Sequence, residues 1–316
     1  MKVFPLRTGR TKVPFGQFYG GLDGYSMTDF VTDKEHYIWV PIHSYLIEHP
    51  QAGPILVDTG ISPEQTAHVD YYRGSIMEHV TDVDEYDLPA DETMTAQLAR
   101  HGYRPSDVST VIITHLHEDH VGSLGLFPDA AVHLGRAEYD ARHSKVFGLV
   151  PLGFEPSIAP VRHWRPVDFT GAQIGGFDSS ADLLGDGLVT LLPTPGHSPG
   201  STSVLVHAGR YRLLLTGDAL YTIHHLAVDQ VRAIQTGAES LYVDSVRRMQ
   251  WLRRLVPDVV VLTAHDHTQY GRRVAAELAE GELSEEALAW CRSYERTTFD
   301  ELYNLNPARL PHHDAA

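Results

Sequence analysis

Residues 111–120 read Val-Ile-Ile-Thr-His-Leu-His-Glu-Asp-His. A short apolar run, the signature of a buried strand, breaks without a linker into His115, His117, Asp119 and His120. A strand that ends over a rigid sheet can aim several side chains into one cleft, whereas the same residues inside the strand would be buried at high cost. Imidazole nitrogen and carboxylate oxygen are the donors that borderline cations such as zinc accept.

The same arrangement recurs three times. His197 follows Leu191-Leu192 through the tight Pro195-Gly196 turn, Asp218 closes Leu213-Leu214-Leu215-Thr216-Gly217, and His265 closes the apolar run 259–264. A strand has no structural need for an ionisable residue at its end. Four such ends point to a metal site rather than to packing, in a chain that holds 20 histidines.

Around these points lie apolar runs at 38–47, 55–58, 108–114, 188–194, 203–207, 212–217 and 259–263, each read as a buried strand. Helical patterns fall between and after them. Residues 91–101 carry Met94 and Leu98 before Gly102, a longer helix shows the stripe Leu241, Val246, Met249, Leu252 and Val256, and 284–303 reads as a C-terminal helix with Leu288, Cys291 and Tyr294. Strands and helices in this order predict a layered α/β or α+β sandwich. A single domain over 1–316 is expected, with insertions at 71–92 and 149–186 and a C-terminal extension at 271–316. The first insertion is acidic and reads as a solvated loop and helix start; the second mixes Pro and Gly with Phe154, Trp164, Phe169 and Phe177 and reads as a long insertion or a substrate-covering segment.

Composition narrows the function classes. Lys and Arg number 25 against 41 Asp and Glu, a net charge of −16 that disfavours nucleic acid, anionic membrane surfaces and polyanionic substrates. Cys291 is the one cysteine, so no intrachain disulfide forms, and a buried, inert thiol is its expected state. Residues 1–10 lack the apolar core of a secretion signal and no stretch has the length to span a bilayer, so a cytoplasmic location is expected.

The motif His115-x-His117-x-Asp119-His120, followed in order by His197, Asp218 and His265, resembles the metallo-β-lactamase superfamily over residues 45–267. The resemblance implies an αββα sandwich with two divalent metal ions at the shared edge of its sheets. Zinc is the expected metal, with iron, cobalt or manganese as alternatives. It implies His115, His117 and His197 on one metal, Asp119, His120 and His265 on the other, and Asp218 bridging them. Asp58, in Leu56-Val57-Asp58-Thr59-Gly60, matches the family's earlier acidic motif and would orient a ligating imidazole. Two such ions share a water, bring its pKa toward roughly 7 and leave a hydroxide to attack a carbonyl or phosphoryl. Asp119 is the candidate proton shuttle besides being a ligand.

Three further segments resemble the N-acyl-homoserine lactonases: 43–50 with 53–60, the run Gly217-Asp218-Ala219-Leu220-Tyr221, and Ala264-His265-Asp266. In that reading Tyr221 hydrogen-bonds the lactone carbonyl or ring oxygen as charge develops there. The implied partner is a small-molecule lactone, and a homodimer is compatible with the extra loops. Phe15, Phe18, Tyr19, Tyr25 and Met27, or the aromatics of 149–186, are candidates for an acyl wall, although core or loop packing is the better explanation for any single one of them. His224 and His225 are left outside the site as loop residues, and His43, His49, His133, His143, His163, His207 and His267 as structural or surface residues. The alternatives are a thioesterase or esterase of the glyoxalase II kind, a mononuclear-iron oxygenase and a non-catalytic metal-binding protein. Tyr221 argues against the first and the retained Asp119 and Asp218 against the last.

Overall fold

The computed structural model describes residues 1–19, 35–80, 85–146, 148–227 and 238–294. Its strands are β1 (Lys2–Pro14), β2 (Tyr37–His49), β3 (Gly53–Val57), β4 (Tyr86–Asp87), β5 (Thr110–Ile112), β6 (Ala131–Gly135), β7 (Lys145–Val146), β8 (Val150–Pro151), β9 (His163–Val167), β10 (Ala181–Asp182), β11 (Val189–Pro193), β12 (Thr202–His207), β13 (Arg212–Leu215) and β14 (Val259–Leu262). Among the described residues these form one sheet in the order β4-β1-β2-β3-β5-β6-β9, a second in the order β10-β11-β12-β13-β14, and the small β7-β8 pair.

Period-two alternation sorts the first sheet's side chains into two layers. Val3, Tyr45, Ile47, Ile55, Val57 and Ile112 face the second sheet, where Leu191, Val204, Leu213 and Leu215 meet them. Phe4, Leu6, Leu46, Leu56, Val111 and Ile113 face outward, covered by Met94 and Leu98 of the helix Met94–Arg100. The second sheet is backed by the helices Glu239–Leu255, Gln269–Ala279 and Glu285–Tyr294, which bury Val246, Met249, Leu252, Val274, Leu278 and Leu288. The order of layers is helix, sheet, sheet, helix, as the resemblance implied.

Parallel pairing aligns the ends that matter. Val57 of β3 sits opposite Ile112 of β5, and Leu215 of β13 opposite Leu262 of β14. The residues that follow these four strands therefore leave the sandwich at one edge. Val57, Ile112 and Leu215 are fully buried, and each such side chain contributes about 1.5–3 kcal/mol by leaving water. That apolar anchoring holds the polar loops beyond it.

Several expectations are corrected. The 13-residue β1, β6 and the helix Gln269–Ala279 were not foreseen. Leu241 is exposed and Tyr242 takes its place on the buried face, because that face begins one residue later. The 149–186 stretch contributes β9 to the edge of the first sheet and β10 to the edge of the second. The acidic 71–92 stretch is not uniformly solvated, since Tyr72 is completely buried. Cys291 is buried as expected, and burial raises its thiol to about 11. The C-terminal helix is described over Glu285–Tyr294, and its expected continuation, like Tyr25 and Met27, lies outside the described residues. Among the described residues no helix is long and apolar enough to cross a membrane.

The sheets are tied at the same edge by the Tyr45 phenol donating to the Thr263 carbonyl at 2.9 Å, by His43 N–H to Ala264 O at 3.0 Å, and by Thr202 N–H to Thr114 O at 2.9 Å. Tyr45→Phe removes one of these bonds from a buried setting. It is expected to lower unfolding stability by about 1 kcal/mol, read from urea denaturation.

Candidate metal centre

All seven residues singled out from the strand ends converge at this edge. His115, His117 and His197 bring ring nitrogens within 4.8 Å of one another; so do the donor atoms of His115, His120 and Asp218, and those of Asp119, His120 and His265. His197 Nε2 stands 2.9 Å from His117 Nδ1 and 3.2 Å from His115 Nε2. A tetrahedral zinc with bonds of about 2.0–2.1 Å separates neighbouring nitrogens by roughly 3.3 Å, close to this spacing.

Asp218 lies between the two groups. Its Oδ2 is 3.5 Å from His197 Nε2 and 3.9 Å from His115 Nε2, while its Oδ1 is 3.2 Å from both His120 Nε2 and His265 Nε2. Asp119 Oδ2 is 3.3 Å from His265 Nε2 and 3.8 Å from His120 Nε2. Despite their proximity, His120 Nε2 and Asp218 Oδ1 are buried with no hydrogen-bond partner. Buried polar atoms left in this way are costly, and a cation in contact with both would satisfy them. The donor set fits divalent metal ions.

The local backbone explains how the side chains reach this edge. Gly217, at φ +50°, lets the chain turn under Thr114, where a Cβ would stand 2.4 Å from Thr114 Oγ1. Asp58 adopts φ +59°, the one non-glycine residue with positive φ among those described. Its carboxylate accepts from Thr114 N–H and Thr114 Oγ1, both at 2.8 Å, and lies 2.9 Å from His120 Nδ1. These bonds offset the strain of the left-handed backbone and leave His120 Nε2 facing Asp218. His265 Nδ1 donates to Pro41 O at 2.9 Å, which turns its Nε2 inward in the same way.

Glu138 went unnoticed in the sequence because nothing surrounds it but an ordinary helical stretch. It is fully buried, and its carboxylate accepts from Leu116 N–H at 2.9 Å, Ser198 Oγ at 2.7 Å and Gly200 N–H at 2.9 Å. It thereby joins the loop carrying His115 and His117 to the loop carrying His197. His224 and His225, expected on an exposed loop, are both buried. His225 lies 3.0 Å from Thr222 Oγ1 through Nδ1 and donates to Phe18 O at 2.5 Å through Nε2. Phe18 in turn stacks on Tyr221, with ring centroids 4.3 Å apart. Phe15, Phe18 and Tyr19 of the helix Phe15–Tyr19 are buried, so each is a packing residue as well as a wall candidate. Tyr221 OH stands 3.3 Å from His197 Nδ1.

Burial, helped by neighbouring histidines, pushes His115 well below its ordinary range and lowers His197 to about 3; burial also lowers His117. Their lone pairs are free at neutral pH. On the other side burial is overcome: Asp218 and Asp119 hold His120 well up and raise His265 to about 10. Burial likewise opposes the charge on Asp119, but His120 and His265 bring its carboxyl down to about 2. Without metal, protons occupy the half of the cluster that carries the second carboxylate.

The model of the metallo-beta-lactamase superfamily matches residues 37–265. The chain belongs to this superfamily. With relatives named as lactonases and metallo-hydrolases, it is a metal-dependent hydrolase. It is 34% identical over 234 residues to the N-acyl homoserine lactonase AttM of Agrobacterium fabrum, a match covering 72% of this chain and 82% of that one. An N-acyl homoserine lactonase of Bacillus cereus is 32% identical, with coverage of 67% and 76%. Among solved structures, a variant of B. thuringiensis AiiA with N-decanoyl-L-homoserine bound at the active site superposes with a TM-score of 0.66 at 25% identity, covering 84% of this chain and 93% of that one.

Zinc binding must displace the protons on His120 and His265. Uptake at pH 7 is therefore expected to release protons, and apparent affinity to rise with pH toward about 10, where His265 loses its proton unaided. Calorimetric titration in two buffers of different protonation heat measures both. Asp58→Ala frees His120 Nδ1 and is expected to weaken metal affinity about 10–100-fold in the same titration.

Proposed function

We propose that this metallo-β-lactamase-fold protein opens the ring of N-acyl-homoserine lactones at a dinuclear metal centre, with zinc as the first candidate. The ligand set is His115, His117 and His197 for one ion, Asp119, His120 and His265 for the other, and Asp218 between them. The observation that carries this reading is the division of Asp218: one oxygen faces His115 and His197, and the other faces His120 and His265. A single-ion site would have no use for that split. When bound, the two ions supply an activated water and a Lewis acid for the carbonyl oxygen.

The chain's own residues then have distinct tasks. Asp119 is anionic at neutral pH, so its carboxylate is ready to take the proton of the attacking water and return it to the departing ring oxygen. Tyr221 stays protonated, since burial and then Asp218 push its phenol well above the ordinary range. His197 turns Nε2 to the cluster, so its ring proton sits on Nδ1 and donates to the Tyr221 oxygen. The phenol, which Gln17 also hydrogen-bonds, would turn its own hydrogen to the lactone's carbonyl or ring oxygen, where negative charge grows. Names of the relatives favour the N-acyl-homoserine class, and a neutral lactone suits a chain of net charge −16.

Proton release in weak buffer, followed with a pH indicator, tests the substrate class. N-acyl-homoserine lactones are expected to open faster than a γ-lactone, arylester or thioester, with a chelator abolishing the reaction. Preferential thioester cleavage would overturn the lactone assignment and leave the metal centre standing. Asp218→Ala is expected to lose metal and turnover together. Tyr221→Phe should retain metal and lower kcat on lactones by about 10–1000-fold.

A further inference from the structure

Glu118 lies between two members of the proposed ligand set and belongs to neither half of it. Its carboxylate accepts from the Tyr72 phenol at Oε2, 2.6 Å, and from the Tyr86 phenol at Oε1, 3.0 Å. The shorter bond lies below the usual O–H···O length of about 2.7–2.8 Å. Both phenols come from the 71–92 stretch, and Tyr72 is completely buried, its ring 4.9 Å from Tyr71 and 5.4 Å from Phe154. Tyr71 OH meets Ser157 Oγ at 3.0 Å. One carboxylate thus gathers two separated points of the acidic stretch and, through the aromatic cluster, the start of the 149–186 stretch.

The short helix Glu118–Val121 that carries this carboxylate is also held through its backbone carbonyls, in part by Gln65, which hydrogen-bonds the Tyr72 phenol as well. Thr59 donates to His120 O through N–H at 2.8 Å and through Oγ1 at 3.1 Å, and Gln65 Nε2 donates to Glu118 O at 3.2 Å. Gly122 packs so closely on Gln65 that a Cβ there would stand 1.9 Å from Gln65 Oε1. A four-residue helix has almost no stability of its own, so its orientation comes from these two grips.

We propose that Glu118 is a positioning residue: by binding the Tyr72 and Tyr86 phenols it latches the segments around these two residues onto the helix bearing Asp119 and His120, so that these segments and that half of the metal centre order together. The inference rests on the metal-centre reading of Asp119 and His120. Because coupling is reciprocal, loosening the phenols disturbs the metal ligands, and loading the metal stiffens these segments.

Cobalt(II) reports ligand geometry through its visible absorption and serves as the probe in the full chain. Tyr72→Phe and Tyr86→Phe are each expected to shift the cobalt bands and speed cobalt release about tenfold, the lower end of losses seen when a ligand's support is removed. Glu118→Ala should do the same, whereas Glu118→Gln, which keeps an acceptor and adds a donor, should restore most of the effect. Tyr71→Phe breaks a bond in the same aromatic cluster without touching Glu118 and should leave spectrum and release unchanged. Hydrogen exchange is read in parallel: in the wild type, cobalt should slow exchange around Tyr72 and Tyr86, and in Glu118→Ala it should not.

Unchanged cobalt bands in both tyrosine variants, or equal shifts in Tyr71→Phe, would overturn the latch. A wild-type chain that takes up no cobalt would sink the metal-centre reading instead. In that case exchange at 118–121 in the metal-free tyrosine variants still decides: faster exchange than wild type supports the latch, and no difference refutes it.

Discussion

Seven ionisable side chains crowd one edge of an otherwise apolar sandwich, and the cost of burying them governs the design around them. Each imidazole or carboxylate taken from water loses hydration that only a partner of opposite character returns. Within the cluster the compensation is incomplete, for His120 Nε2 and Asp218 Oδ1 are left without a hydrogen bond. Where two carboxylates stand, protons on His120 and His265 serve as a provisional counter-charge. Where three histidines meet, the rings are driven neutral and present lone pairs to one another. Neither half is well satisfied by protein atoms, which is the electrostatic meaning of a site built for cations.

Such a cluster holds its shape because the outward nitrogens are spoken for. Asp58 takes His120 Nδ1, Pro41 takes His265 Nδ1, and Tyr221 stands at His197 Nδ1. Those partners are fixed in turn by the sheets: Asp58 follows β3, Pro41 lies in β2, and Tyr221 follows β13 through a short 3-10 turn. Glu138 plays the corresponding part for the backbone by bonding the loops of His115–His117 and His197 to one carboxylate. Rigidity therefore passes from apolar strand pairing, through buried polar bonds, to donor atoms.

This division explains what was legible in the sequence. The donors themselves were, because an ionisable residue directly after a Val, Ile and Leu run contradicts the local pattern and can be noticed without alignment. The layers were legible for the same reason, since the runs of β3, β11, β13 and β14 are buried on both sides. Supporting residues were not. Glu138 sits in an unremarkable helix, His225 in a pair that resembles an exposed loop, and Tyr72 and Tyr86 in a stretch whose acidity suggested solvent. Each gains its role from a partner more than 30 residues away, respectively Leu116's neighbouring loops at Ser198 and Gly200, Phe18, and Glu118. Periodicity carries no information about contacts of that range. The N-terminal β1 escaped for a different reason: its apolar pattern is interrupted by Pro5, Gly9 and the exposed charges of Lys2, Arg7 and Arg10.

Tyr221 shows how the proposed chemistry depends on these contacts. A phenol buried beside Asp218 would serve poorly as an acid if its hydrogen were committed to a neighbouring acceptor. A His197 ring that offers Nε2 to a metal must carry its hydrogen on Nδ1, so it donates to the Tyr221 oxygen and does not take the phenol's hydrogen. Filling the phenol oxygen's acceptor position also strengthens its donor side, as in any hydrogen-bonded chain. Phe18 stacked on the ring and Thr263 Oγ1 donating to the Tyr221 carbonyl at 2.6 Å limit the alternatives open to the side chain. In the proposed reaction, metal ligation at His197 and donation to a substrate oxygen at Tyr221 would thus be two ends of one hydrogen-bonded chain, and the geometry that places the ligand would ready the donor.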